Sequence, residues 1–515
     1  MNTKAIKKYG PLTIFVLFSF LLICQNISQF SKKEHGTIQS DVAIYYTYLP
    51  ATIINKDPLF ELEDSLKKSH YRTHQSPIGR NAVKTSMGVA FMDLPFFLVG
   101  HLYALNNSAY KVYGYSLPYQ FMISISSIVY MILGLFFLWQ FLKRRFSEGT
   151  SIITVLFIGL GTNLFYYSTY EAGMSHPCTF FLLSALLYLI QRWMDRKRFW
   201  RSFLIGIILG LIVLVRPINI LFILPIIIIF KNQELNWKVY FKDLILPFSH
   251  TIMIAIGGFL IILPQLIFWE VQTGSILSYS YGEESFFWLH PHIWEGLFSI
   301  RKGWFIYTPI MFFALFGMVR LYKVQKSYFW AIIAFLPLFL YITFSWWCWW
   351  YGGGFGARSL IDILPFMALP LAALVGWSIK NKLRATILII PCAFVYLNLY
   401  QTWQYSNGII HYDGMTWESY KEIFLKSHPT NKYWEEIERP DYENAIKYGV
   451  EKNYTYLISK DTTAALYEKN VKSMIEYITS DTSLMNPNKQ QAIDQNQPID
   501  SLLRIKAKIR LKEDD

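Results

Sequence analysis

Asp41 stands in Gly36–Ala51, GTIQSDVAIYYTYLPA, directly after the first long apolar run, and is followed by Tyr45, Tyr46 and Tyr48. Glu171 lies in YYSTYEAGMSHP, with His176 five residues on. Arg301 and Lys302 sit in SIRKGWFIYTP, and Arg358 closes the glycine-rich WWCWWYGGGFGAR four residues before Asp362. A carboxylate can accept a proton from an attacking hydroxyl. Cations can stabilise a phosphate as its charge grows, and arginine's forked donors suit phosphate oxygens. Arg80 and Lys84 are further candidates for that cationic role, and Tyr45, Tyr46, His176 and Asp362 for substrate contacts. Each residue also has a plain alternative. Asp41 can be a helix cap, Glu171 a loop acid, His176 part of a helix start before Pro177, and Arg301 and Lys302 surface anchors.

The elements that must position these residues are membrane helices. Of the 515 residues, 53% are hydrophobic and 18% aromatic, and only 16% are charged. This composition describes a polytopic membrane protein. The net charge of +13 comes from basic runs between apolar segments, the pattern of the positive-inside rule, and does not point to nucleic acid. Cys24, Cys178, Cys348 and Cys392 show no metal-type spacing. A Cys178–Cys348 bridge is open, with simple packing the plainer reading.

Apolar runs and basic punctuation give about eleven spans, over 11–29, 116–142, 151–168, 174–190, 202–216, 217–230, 245–269, 304–322, 328–346, 359–378 and 384–400. Lys4, Lys7 and Lys8 precede the first, which reads as a retained signal anchor with a cytoplasmic N-terminus. Gly88–Leu105 is long enough to span but contains Asp93, Pro95 and His101. Placing it in the outer interface keeps the basic clusters at 143–145, 192–201, 231–242, 320–326 and 380–384 inside. The fold expected is an all-α polytopic domain over 1–400, with a first outer loop at 30–115 containing interfacial helices. A mostly helical extracytoplasmic region over 401–515 follows, with amphipathic patches at 471–478 and 499–509.

All the unusual polar residues then fall on one face. The chemistry that fits is transfer of a sugar from a lipid-phosphate donor to an acceptor hydroxyl, with membrane lipids around the donor chain. No GxGxxG or Walker-type loop offers a nucleotide site. A transporter or flippase of lipid-linked sugars is the rival, and would carry polar residues through the depth of the bundle. A surface-glycan polymerase or ligase is a further alternative, and a non-catalytic scaffold would not need Asp41.

At SDVAIYYTYLPA, GVAFMDLPFFLVGH, YEAGMSHP, LGLIVLVRP and WWYGGGFGARSLID the chain resembles the GT-C superfamily of polytopic glycosyltransferases. Protein O-mannosyltransferases and the aminoarabinose transferase acting on lipid A have that fold, and the likeness spans roughly residues 10–400. The resemblance implies a catalytic acid at Asp41, a supporting acid at Glu171 and donor-phosphate contacts from Arg301 and Arg358, to which our reading adds Lys302. It also implies an undecaprenyl-phosphate-linked donor, an inverting reaction and a site facing the periplasm of a bacterial inner membrane. The acceptor (glycan, lipid or protein) and any divalent metal stay open. Many members carry a paired Asp-Glu after the first helix. Here Asp41 is followed by Val42, which weakens the case for a two-carboxylate metal site in this loop.

Overall fold

The computed structural model describes residues 3–33, 36–61, 72–230 and 248–450, with isolated positions at 475, 479 and 503. The expected amphipathic patches of the tail and the basic cluster at 231–242 lie outside the described residues. Among the described residues, the elements are helical apart from one antiparallel hairpin, β1 (Thr73–Gln75) with β2 (Asn81–Val83).

Helix α1 (Thr3–Phe30) leads into the short α2 (Ser40–Tyr46), the hairpin, and α3 (Gly88–Leu105). Then come α4 (Leu117–Leu142), α5 (Glu148–Leu160), α6 (Leu164–Thr169), α7 (Ser175–Asp195) and α8 (Phe199–Val215). A 3-10 turn at Pro217–Phe222 joins α8 to α9 (Ile223–Phe230), and α10 (Phe248–Thr273) follows. Two short helices, α11 (Ile293–Phe298) and α12 (Trp304–Tyr307), precede α13 (Ile310–Val324) and α14 (Lys326–Phe344). A second 3-10 segment, Arg358–Ile363, opens into α15 (Leu364–Ser378), and α17 (Ile389–Ser406) follows the single turn α16 (Lys382–Ala385). Among the described residues, eight helices are long and apolar enough to cross a membrane. Seven coincide with expected spans; the eighth is α3. The other expected spans fall on shorter helices: α5, α8, α9 and α13.

Proline at position 217 cannot donate a backbone hydrogen bond, so α8 stops at Val215 and the chain turns through Arg216 in extended conformation. α8 and α10 cross at backbone distance. A Cβ on Gly206 would lie 2.0 Å from the Ile254 carbonyl oxygen, and one on Gly257 would lie 2.3 Å from that of Phe203. This close approach of small residues is the usual way apolar helices gain packing in lipid.

α3 runs antiparallel along the first half of α4. His101 Nδ1 meets the Tyr119 hydroxyl at 2.7 Å, Ser126 donates to Asp93 at 2.7 Å, and the Tyr130 hydroxyl donates to the Met92 carbonyl. Its polar side chains Asp93 and His101 therefore face protein. All four cysteines are free thiols, so the Cys178–Cys348 bridge does not form.

Candidate active site

One face of α4 positions both acids. Gln120, Ser124 and Ser127 follow each other at i, i+4 and i+7 and so share a helix face. The Gln120 side-chain oxygen accepts from the backbone N–H groups of Thr37 and Ile38, at 2.8 and 2.7 Å, and so fixes the loop entering Asp41. Buried Asn26 donates to the carbonyls of Ser124 and Ser168, at 3.1 and 3.0 Å, tying α1 to α4 and α6. The Ser127 hydroxyl accepts from Gly173 N–H at 2.6 Å, which fixes the loop holding Glu171. The two loops touch: a Cβ on Gly173, where φ is +94°, would stand 2.6 Å from Val42 Cγ1. Ser40, beside Asp41, takes the left-handed conformation that non-glycine residues rarely adopt. Such strain concentrates at functional positions.

The glycine turn brings the main cation. Gly356 has φ +59° and packs on Tyr307, leaving no room for a side chain. The Tyr167 hydroxyl accepts from Phe355 N–H at 2.9 Å and fixes the turn from α6. Arg358 then reaches Asp41, with Nη2 3.0 Å from Oδ2. The guanidinium is mostly buried, whereas the Asp41 side chain is 40% exposed. One carboxylate edge is thus held while the group stays open to a ligand.

Glu171 is half-buried behind this pair. Burial pushes its carboxyl above the usual range, Arg358, Lys33 and Lys302 pull it down, and Asp41 pushes it up. Lys302 is buried, and its amine donates to the carbonyls of Gly354 and Tyr412. Burial lowers its pKa to about 7, opposed chiefly by Asp413. Arg301 lies over the rings of Trp349 and Trp350, at 6.0 and 5.4 Å. Tyr45 faces the same centre, its phenol pushed up by burial and by Asp41.

Five of the expected site residues are placed differently. Tyr46 is buried, donates to the Gly114 carbonyl and packs on Phe97 and Tyr115, so it supports the loop. His176 and Asp362 are buried with Arg216, which lies 2.8 Å from His176 Nδ1 and 3.4 Å from Asp362 Oδ2. That charged cluster compensates its own burial and leaves neither residue facing a ligand. Arg80 is exposed on the hairpin and donates to the Val271 carbonyl at 2.7 Å. Lys84 pairs with Glu284, away from the Asp41–Arg358 centre.

Residues 117–268 match the family model described as dolichyl-phosphate-mannose-protein mannosyltransferase. The chain is similar to that family over this stretch, which is less than half of its length. The solved structures similar to this chain include an oligosaccharyltransferase from Archaeoglobus fulgidus tethered to an acceptor peptide. It shows 13% identity and a TM-score of 0.49 over 81% of this chain, which spans 57% of that protein's length. ArnT from Cupriavidus metallidurans bound to undecaprenyl phosphate shows 12% identity and a TM-score of 0.45, covering 76% of this chain and 71% of its own. No curated protein sequence matches.

Sequence reasoning missed Lys33, which faces Glu171 from the end of α1, although lysines just outside the first span run against the positive-inside pattern and are a usable signal. It also missed the described part of the tail. Tyr412 receives Lys302, the Gly449 carbonyl meets His292 Nε2 at 2.7 Å, and Tyr442 packs on Trp350. Through these contacts residues 407–450 form one wall of the site. The donor set fits a divalent metal poorly. Asp41 turns one oxygen to a guanidinium, Glu171 is ringed by cations, and no group of three or more metal-ligating side chains assembles among the described residues.

Proposed function

We propose that this protein is a membrane glycosyltransferase that moves a sugar from a polyprenyl-phosphate-linked donor to an acceptor hydroxyl at the outer face of the membrane. The observation that carries the reading is the Asp41–Arg358 pair beside Glu171, where α2, the α6–α7 loop and the glycine turn meet. The family model's own name refers to transfer from a dolichyl-phosphate sugar, and supports a lipid-phosphate donor.

In this mechanism the open oxygen of Asp41 accepts the acceptor's hydroxyl proton as that oxygen attacks the anomeric carbon. The new glycosidic C–O bond forms as the sugar–phosphate C–O bond breaks, and the electron pair leaves with the lipid phosphate. Arg301 and Lys33 stand where they can meet that charge, as positive groups in a partly dry site act strongly on developing charge. Glu171 balances the cations and orients Arg358. Single displacement with one base inverts the anomeric centre.

The test is transfer of radiolabelled sugar from undecaprenyl-phosphate-linked donors to an envelope extract, comparing wild-type protein with Asp41→Asn. Wild type should transfer, and the variant should lose about 10²–10⁴-fold while still binding undecaprenyl phosphate. Undiminished transfer by Asp41→Asn refutes the base. Donor flipping in proteoliposomes without transfer would favour the transporter.

A further inference from the structure

A cavity of about 730 Å³ opens beside the site, between the β1–β2 hairpin and residues 279–282. Its volume lies within the range of about 300–1,000 Å³ usual for small-ligand sites. Arg72, His74, Gln75 and Lys84 line the hairpin side, and Tyr279 and Tyr281 line the other. One wall of the cavity lies near Asp41. The Tyr281 phenol lies within electrostatic reach of Asp41 and Arg216, and Tyr45, next to the lining residue Ile44, within reach of Asp41, Arg358 and Tyr281.

Its walls have a definite chemistry. Tyr281 is clamped, with Lys84 standing 5.1 Å over its ring and Trp346 meeting it edge-on at 5.5 Å. Tyr279 is 59% exposed and its hydroxyl donates to the Glu284 carbonyl, so its ring is held in place with surface to spare. Lys84 is neutralised by Glu284. Among the described residues no carboxylate pairs with the Arg72 guanidinium, and the lining contains no acid. A fixed phenol offers an apolar face and a polar edge, suited to a sugar ring with one C–H face and hydroxyl rim. An unpaired guanidinium suits a carboxylate or phosphate oxygen pair.

We propose that this cavity binds the acceptor, and that the acceptor is an anionic saccharide. Its charged group would meet Arg72, a ring would lie against Tyr279, and its attacking hydroxyl would pass Tyr45 and Tyr281 to Asp41. The assignment rests on Asp41 being the base of the proposed reaction, and moves Lys84 from the donor side to the acceptor side.

The test uses the full-length protein in detergent, with saturation-transfer NMR of trigalacturonate and of the neutral maltotriose as probes. Trigalacturonate should bind about tenfold more tightly than maltotriose, the worth of one charge-assisted contact. Arg72→Ala should abolish that preference, and Tyr279→Ala should weaken both sugars. Both side chains are exposed, and unchanged melting temperatures would show that the variants fold. Binding of undecaprenyl phosphate, followed by native mass spectrometry, should be equal in wild type and both variants. Failure of the wild type to bind that lipid counts against the donor reading and leaves the saccharide comparison standing. Absence of binding by either sugar, or a preference that survives Arg72→Ala, overturns the proposal.

Discussion

A double-mutant cycle on Asp41 and Arg358 separates two roles for the arginine. If Arg358 acts by orienting Asp41, its effect depends on the carboxylate; if it holds the donor phosphate, it does not. At 3.0 Å, two unit charges interact by about 5 kcal/mol at an effective dielectric near 20. Asp41 is 40% exposed, so solvent screening reduces this to about 1–2 kcal/mol, or about five- to thirtyfold in rate. Arg358→Gln alone should therefore lower kcat by that factor with little change in donor KM. Asp41→Asn alone should cost about 10²–10⁴-fold. The double variant should be within about threefold of Asp41→Asn, because the group that Arg358 orients is gone. The assay is steady-state transfer from a lipid-phosphate donor, with melting temperatures to confirm folding. Fully multiplicative losses, together with a raised donor KM in Arg358→Gln, would refute this reasoning and make Arg358 a phosphate ligand.

Lys302 gives a signed pH effect. Its folded pKa is about 7 against an ordinary 10.5, so between those values the unfolded chain binds more protons and stability rises with pH. Melting temperature should climb more steeply over that window in wild type than in Lys302→Met, and equal slopes would count against the buried amine. Glu171 sits above the usual carboxyl range, so activity should fall on the acid side as it protonates. The pH–rate profile of Glu171→Gln should lack that limb. Gly206→Val should lower stability by about 1–3 kcal/mol through overpacking against the Ile254 backbone, whereas Gly149→Ala, which meets nothing, should be tolerated in the same thermal assay. Transfer should persist after chelation of divalent ions, and loss of activity restored by a metal would contradict the poor fit of the donor set.

Asp41 and Glu171 were legible because ionisable groups at the outer ends of apolar runs are costly and few. Arg358 was legible as a cation but not as the partner of Asp41, since that pairing forms only when opposite ends of the chain meet. Four residues after Arg358, Asp362 would share its face in an α-helix. In the 3-10 segment that forms, a four-residue step rotates by about 120° instead of returning to the same face. Asp362 therefore points into the bundle toward Arg216 while Arg358 points to Asp41. The described part of the tail left no signature because it joins the site partly through the backbone carbonyls of Tyr412 and Gly449, which any residue could supply.

The α4 ladder explains why valine can follow Asp41. Backbone N–H groups at the membrane level need partners, and Gln120 and Ser127 supply them to the Asp41 loop and the Glu171 loop from one helix face. The two loops are thereby held close enough for Gly173 to rest on Val42. Val42 is 4% exposed, so a glutamate here would be driven into that contact and its charge buried. In this chain the second carboxylate comes instead from Glu171, across the same contact, and stands among Arg358, Lys33 and Lys302. The site thus has two acids, the second supplied by another loop and felt by the same arginine that the first one holds.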